Sequence, residues 1–151
     1  MKMLVCVDGS EQSKKVVKEA INIAGGCNIN EVSLINVYES NKVVPPWMGD
    51  RGAAVSREEL DMIRILGDKN KEKSREILSE AGDIFEANQI EVSLISREGH
   101  SADTIIQVAN DGKYDMLVIG SRGQGGLKKL LLGSVSNAVM QEVVSNVVLV
   151  K

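Results

Sequence analysis

Residues 115–140 read D-M-L-V-I-G-S-R-G-Q-G-G-L-K-K-L-L-L-G-S-V-S-N-A-V-M, and this stretch restricts the fold more than any other. Met116–Ile119 is an unbroken apolar run of strand length, the pattern of a strand buried on both faces inside a parallel sheet. Gly120 stops it. A loop holding Gly120, Gly123, Gly125 and Gly126 follows. After Gly133-Ser134 comes a segment to Val144 in which Val135, Val139 and Val143 recur at helical spacing. A strand, a glycine-rich loop and a helix start together aim backbone N–H groups and the positive end of a helix at an anion. The expectation is a phosphate cradle.

Backbone amides reach a phosphate only where no Cβ holds it off, and the loop is expected to place some residues at positive φ. Gly120 marks where the chain leaves the sheet, and Gly123 where it bends back. Gly133 ends the run Leu130-Leu131-Leu132, and Ser134 is placed to cap the helix or to offer its hydroxyl to a phosphate oxygen. Two familiar phosphate loops fail on spacing. Gly120 and Gly125 match the Walker A separation, but Gly126-Leu127 stands where Lys-Ser/Thr is required. Gly123 and Gly125 open a dinucleotide fingerprint, but Lys128 holds the place of its third glycine.

The spacing present is Gly, two residues, Gly, nine residues, Gly-Ser, at Gly120, Gly123, Gly133 and Ser134. On these residues the chain resembles the ATP-binding branch of the universal stress protein family. The likeness extends to Val7-Asp8-Gly9-Ser10-Glu11 after the first strand, Asn36-Val37 at the end of the second, and Val147-Val148-Leu149-Val150 near the C-terminus.

Strand and helix signals alternate along the chain. Lys2–Val7 reads as a strand, and Asp8-Gly9-Ser10 as a turn with N-capping residues. A helix runs to about Ala24 with Val17, Ala20, Ile21 and Ala24 on one face, and Gly25-Gly26 ends it. Glu31–Tyr38 is the second strand. Residues 41–55 contain Pro45-Pro46, Gly49 and Gly52 without periodicity, which reads as a surface loop. Ser56 and Glu59 form a capping box that opens a long helix to about Asn88. Its expected buried stripe is Leu60, Ile63, Ile77, Ala81, Ile84 and Phe85, with Gly67 and Gly82 as points of bending or fraying. Ile90–Arg97 is the third strand. Ser101 caps a helix with Ile105, Ile106 and Ala109 inward, ending at Asp111-Gly112. Residues 146–150 form the last strand. The fold class is therefore α/β: one domain over residues 1–151, an open twisted parallel sheet of five strands with helices on both faces, Rossmann-like. The strand order 3-2-1-4-5 is implied by the resemblance, since pattern alone leaves it open.

A length of 151 residues, 43% hydrophobic and 26% charged, fits one ordinary globule. Aromatics are only 3%, too few for base-stacking platforms, and the net charge of −3 gives no global pull towards nucleic acid or anionic membranes. No apolar run approaches the roughly 18 residues of a membrane span, and Met1–Asp8 is too brief for a signal-peptide core. Cys6 and Cys27 read as reduced thiols of a cytoplasmic protein. With His100 as the single histidine, no metal site is expected.

In open parallel sheets the ligand lies beyond the carboxyl ends of the strands, where the order reverses. The resemblance puts Asp8 on ribose hydroxyls and Val7 and Val37 against adenine. It puts Gly120, Ser121, Arg122, Gly123, Gly133, Ser134, Val135 and Ser136 on the phosphates. The residues also allow plainer roles: Asp8 as a turn former, Val7 and Val37 as core, Lys128 and Lys129 as a solvated face. Arg97-Glu98-Gly99-His100 is expected to form another wall. The implied ligand is ATP, ADP or AMP, with Mg²⁺ held mainly by the phosphates. The functional expectation is a regulatory nucleotide-binding protein with an unknown protein partner. The alternatives are a slow or partner-stimulated ATPase or phosphotransferase, and a purely structural dimer, against which the intact glycine motif speaks. The loop offers Ser121, Arg122, Gln124, Ser134 and Ser136 but no carboxylate, which disfavours efficient hydrolysis, and no catalytic residue is assigned. The family pairs its last strand with that of a second copy, so residues 146–150 are expected to form a homodimer.

Overall fold

The computed structural model describes residues 1–39, 56–123 and 132–151. The expected loop 41–55 and the expected solvated Lys128 and Lys129 lie outside the described residues. In chain order the elements are β1 (Lys2–Cys6), α1 (Glu11–Gly26), β2 (Glu31–Tyr38), α2 (Arg57–Ala87), β3 (Val92–Glu98), α3 (Ser101–Asp111), β4 (Met116–Gly120), α4 (Ser134–Glu142) and β5 (Asn146–Val150). The sheet has five strands in the order β3-β2-β1-β4-β5. All four pairings are parallel.

Because side chains alternate across a strand, β1 feeds two cores. Met3 and Val5 point to the face covered by α1 and α2, where they meet Val16, Val17, Ala20, Leu34, Leu78 and Phe85. Leu4 and Cys6 point to the opposite face, with Ile35, Leu117, Ile119, Ile105, Ala109 and Val139 under α3 and α4. Burying a side chain such as Phe85 or Leu78 contributes roughly 1.5–3 kcal/mol. The polar intruder on the second face is satisfied: Tyr114 Oη donates to Ser33 Oγ at 2.9 Å.

Several expected boundaries move. The first helix does not stop at Gly25-Gly26 but includes both, and ends where the Cys27 N–H returns to the Ile23 carbonyl. The α2 capping box is formed as expected at Ser56 and Glu59. The buried stripe of α2 differs from expectation, being Ser74, Leu78, Ala81, Gly82 and Phe85, while Leu60 is 52% and Ile84 45% exposed. The helix runs through Gly82 without a break. A Cβ there would make only an ordinary contact, 3.4 Å from Leu94 of β3, so packing alone does not demand glycine at this position. The third strand starts at Val92, because Gln89 at φ 61 and the Ile90 N–H bonded to the Phe85 carbonyl still belong to the turn. His100, not Ser101, is the N-cap of α3, and Gly133, not Ser134, that of α4; neither makes a side-chain cap hydrogen bond. Among the described residues no helix is long and apolar enough to cross a membrane.

Candidate functional site

β1 and β4 are central neighbours, and the chain leaves them towards helices on opposite faces, so a crevice opens beyond their carboxyl ends. It holds a cavity of about 790 Å³. Of the residues expected to form the site, Val7, Asp8, Val37, Gly120, Arg122, Gly123, Gly133, Ser134, Val135 and Ser136 line this cavity. Ser121 stands behind the wall. Its N–H donates to the Val150 carbonyl at 2.7 Å, and its own carbonyl accepts from the Gly133 N–H at 2.9 Å. That second bond joins the two stems of the glycine-rich loop.

The β1–α1 turn presents Asp8. One carboxylate oxygen, Oδ1, accepts the Ser10 N–H at 2.9 Å, the side-chain-to-backbone turn that aspartate favours. Ser10 then caps α1 by accepting the Ser13 N–H at 3.2 Å. Gly9 sits at φ 76, and a Cβ on it would lie 3.0 Å from Ile77, so both conformation and packing call for glycine. Asp8 Oδ2 points across the crevice: a Cβ on Gly123 would stand only 3.1 Å from it. Asp8 therefore holds the turn and also faces the glycine loop.

The second strand contributes Asn36, which the sequence reading left without a role. It is 6% exposed, and its Nδ2 donates to the Val7 carbonyl at 2.7 Å, tying the end of β1 to β2. Val7 itself is buried in the core beneath α1 and α2, and Val37 packs on the opposite face. Cys6 shares the face of Val37, and its thiol is pushed well above its usual range by burial and then by the Asp8 carboxylate. It is a protonated, inert wall atom.

On the β4 side, close approach explains the glycine at 120: a Cβ there would meet Gln12 Cγ at 2.9 Å and the Arg122 carbonyl at 3.1 Å. Positive φ is absent from Gly120, Gly123 and Gly133 and, among the described glycines, occurs at Gly9 and Gly99, while Gly125 and Gly126 lie outside the described residues. Gly133 has φ −61, and a Cβ on it would make only ordinary contacts of 3.4 Å or more, so internal packing alone does not demand glycine there. Ser136, 3% exposed, donates its hydroxyl to the Gly120 carbonyl at 2.7 Å. Its proton is thereby committed, which leaves its backbone N–H, with those of Ser134 and Val135, as the first-turn donors of α4.

The remaining wall differs from expectation. Arg97, Glu98, Gly99 and His100 do not line the cavity; Ser101 and Ile105 of α3 do. Gly99 is turned back by its N–H bond to the Tyr38 carbonyl, and His100 Nδ1 faces Asp103 at 3.3 Å. A fourth wall comes from α2, through Asn70, Lys73, Ser74 and Ile77. Their spacing of three and four residues continues the stripe Leu78-Ala81-Phe85, so a buried helical face that turns polar was the available signal. Among the described residues, the charged side chains lining the cavity are Asp8, Glu39, Lys73 and Arg122. No cluster of three or more His, Cys, Asp or Glu is placed to hold a metal among the described residues. The arrangement can grip an anion with main-chain donors and two cations, and a hydroxylated group with Asp8.

The sequence matches the universal stress protein family over residues 1–151. It is similar to the universal stress protein YxiE of Bacillus subtilis, 31% identical over 93% of this chain and 91% of that one. It is also similar to the universal stress protein MJ0531 of Methanocaldococcus jannaschii, 31% identical over 99% and 81%. Among solved structures, the universal stress protein UspA of Lactobacillus plantarum superposes with a TM-score of 0.82 at 18% identity, covering 100% and 97%. A universal stress protein of Archaeoglobus fulgidus, solved in complex with dAMP, gives 0.65 at 19%, covering 100% and 98%. One from Arabidopsis thaliana, solved with AMP bound, gives 0.65 at 16%, covering 100% and 91%.

Proposed function

This chain belongs to the universal stress protein family, and from that premise we propose that it is a regulatory module that binds an adenine nucleotide, ATP in particular, in the crevice between β1 and β4. The observation that carries the proposal is the juxtaposition of Asp8 and Gly123: an acceptor suited to ribose hydroxyls faces the glycine loop at a distance where a Cβ on Gly123 would stand 3.1 Å away. The phosphates lie against the amides of Gly123 and the first turn of α4, with Arg122 as a cation beside them. The apolar walls Val37 and Ile105 receive the base. Bound dAMP and AMP in the proteins of Archaeoglobus fulgidus and Arabidopsis thaliana support the ligand class. Mg²⁺, if taken up, is held mainly by the phosphates. The protein acts by occupancy rather than turnover, in the cytoplasm, as a homodimer joined through β5.

The test is mass spectrometry of whatever co-purifies, followed by calorimetric titration with ATP. Nucleotide uptake by the wild type and its loss in a folded Gly123→Val variant are expected. Equal ATP affinity in the two proteins overturns the cradle, and no uptake by the wild type overturns the whole reading.

A further inference from the structure

The α2 wall of the cavity brings in a cation, Lys73. Three residues fix the backbone of α2 around Lys73. Asn70 Nδ2 donates to the Glu39 carbonyl at 2.8 Å, just past the end of β2. Ser74, 1% exposed, shares a 2.8 Å hydrogen bond with Ser96 of β3. Ile77 packs where a Cβ of Gly9 would come within 3.0 Å. Lys73 thus stands level with the carboxyl ends of the strands, on the same side of the crevice as the Asp8 turn, and it lines the cavity. Its neighbours on the helix, Glu72 and Arg75, pair with each other at 3.6 Å. Among the described residues no carboxylate lies within ion-pairing distance of the Lys73 ammonium. Arg122 reaches the same cavity from the β4 side.

Building on the proposed nucleotide site, we infer that Lys73 is a specificity residue that makes the cavity favour polyphosphorylated nucleotides over monophosphates and nucleosides. Attraction between a fixed cation and a ligand grows in proportion to the ligand's charge. Adenosine carries no phosphate charge, AMP about −2 and ATP about −4 near neutral pH. Asp8 and Glu39 place two negative charges in the same wall. Lys73 and Arg122 offset them, and removing either leaves an excess of negative charge facing the phosphate tail. A flexible ammonium suits this task, because it follows the tail without fixing a single geometry.

The experiment titrates adenosine, AMP and ATP into the wild type, Lys73→Met and Lys73→Arg. Methionine keeps the length and apolar stem of the side chain and removes the charge. The expected result is a graded loss in Lys73→Met: about tenfold for ATP, equivalent to about 1.4 kcal/mol, about threefold for AMP and none for adenosine. Lys73→Arg restores the order, and added salt flattens the gradient. Equal losses for all three ligands assign Lys73 to packing and overturn the inference, as does an unchanged ATP-to-AMP ratio. If the wild type takes up none of the three, both the inference and the nucleotide site fall. Binding by the wild type with no change in Lys73→Met removes only the inference.

Discussion

Replacing Ser136 by alanine separates two roles that the pair Ser134 and Ser136 presents in the sequence. The Ser136 hydroxyl donates to the Gly120 carbonyl at 2.7 Å, linking the first turn of α4 to the end of β4. The side chain is 3% exposed, so water does not readily replace the lost donor. Losing the bond and leaving a buried acceptor without it costs about 1–3 kcal/mol. Alanine is almost isosteric with serine, so no further cavity cost is added. For a domain of this size 2 kcal/mol lowers Tm by about 4–8 °C. Ser134 is the internal control: it is exposed and occupies the first helical position after the Gly133 cap. Its replacement by alanine should stay within about 0.5 kcal/mol of the wild type. Urea unfolding followed by circular dichroism, without nucleotide, measures both. A Ser136→Ala variant as stable as the wild type, or equal losses in the two variants, would refute the assignment of the hydroxyl to the Gly120 carbonyl.

Four further outcomes are expected. Asn36→Ala removes the buried donor to the Val7 carbonyl and should destabilise the protein by about 2–3 kcal/mol in the same urea assay; a loss below 0.5 kcal/mol would refute the clamp. In the native protein a thiol reagent should modify the exposed Cys27 and leave the buried Cys6 unreacted until unfolding; two fast-reacting thiols would contradict this. Since the Cys6 thiol is raised in the folded state, its contribution is complete at lower pH and is lost as pH climbs past the unfolded value of about 8.5, with a slope of up to about 1.4 kcal/mol per unit. Cys6→Ala should lack that part of the alkaline decline, and an identical pH profile would count against it. Light scattering at about 50 µM should find a dimer, and a monomer would remove the proposed β5 pairing.

The order of elements was legible because each strand is a short apolar run closed by a glycine or a charge, and each helix carries a periodic stripe. Gly120, Gly123 and Gly133 were legible as a group through the spacing on which the family resemblance rests, although close packing accounts for the glycine at 120 and not for that at 133. What escaped depends on contacts between distant segments. The buried face of α2 was placed partly wrong because this helix of 31 residues is longer than the strands it covers. Leu60, Met62, Ile65 and Leu66 therefore keep helical spacing while remaining exposed. Asn70, Lys73 and Ser74 went unassigned because, although they continue the spacing of the buried stripe, their polar side chains suit a face turned to water equally well. Asn36 was hidden for a related reason: a strand residue that satisfies a neighbouring strand's last carbonyl has no periodic signature.

The Val150 carbonyl accepts two donors, Gln12 Nε2 from α1 and the Ser121 N–H, both at 2.7 Å. One oxygen atom at the rim of the sheet thus anchors a helix on one side and the pocket's mouth on the other. Trimming the final two residues would hardly diminish the core, yet would leave both donors without their common acceptor.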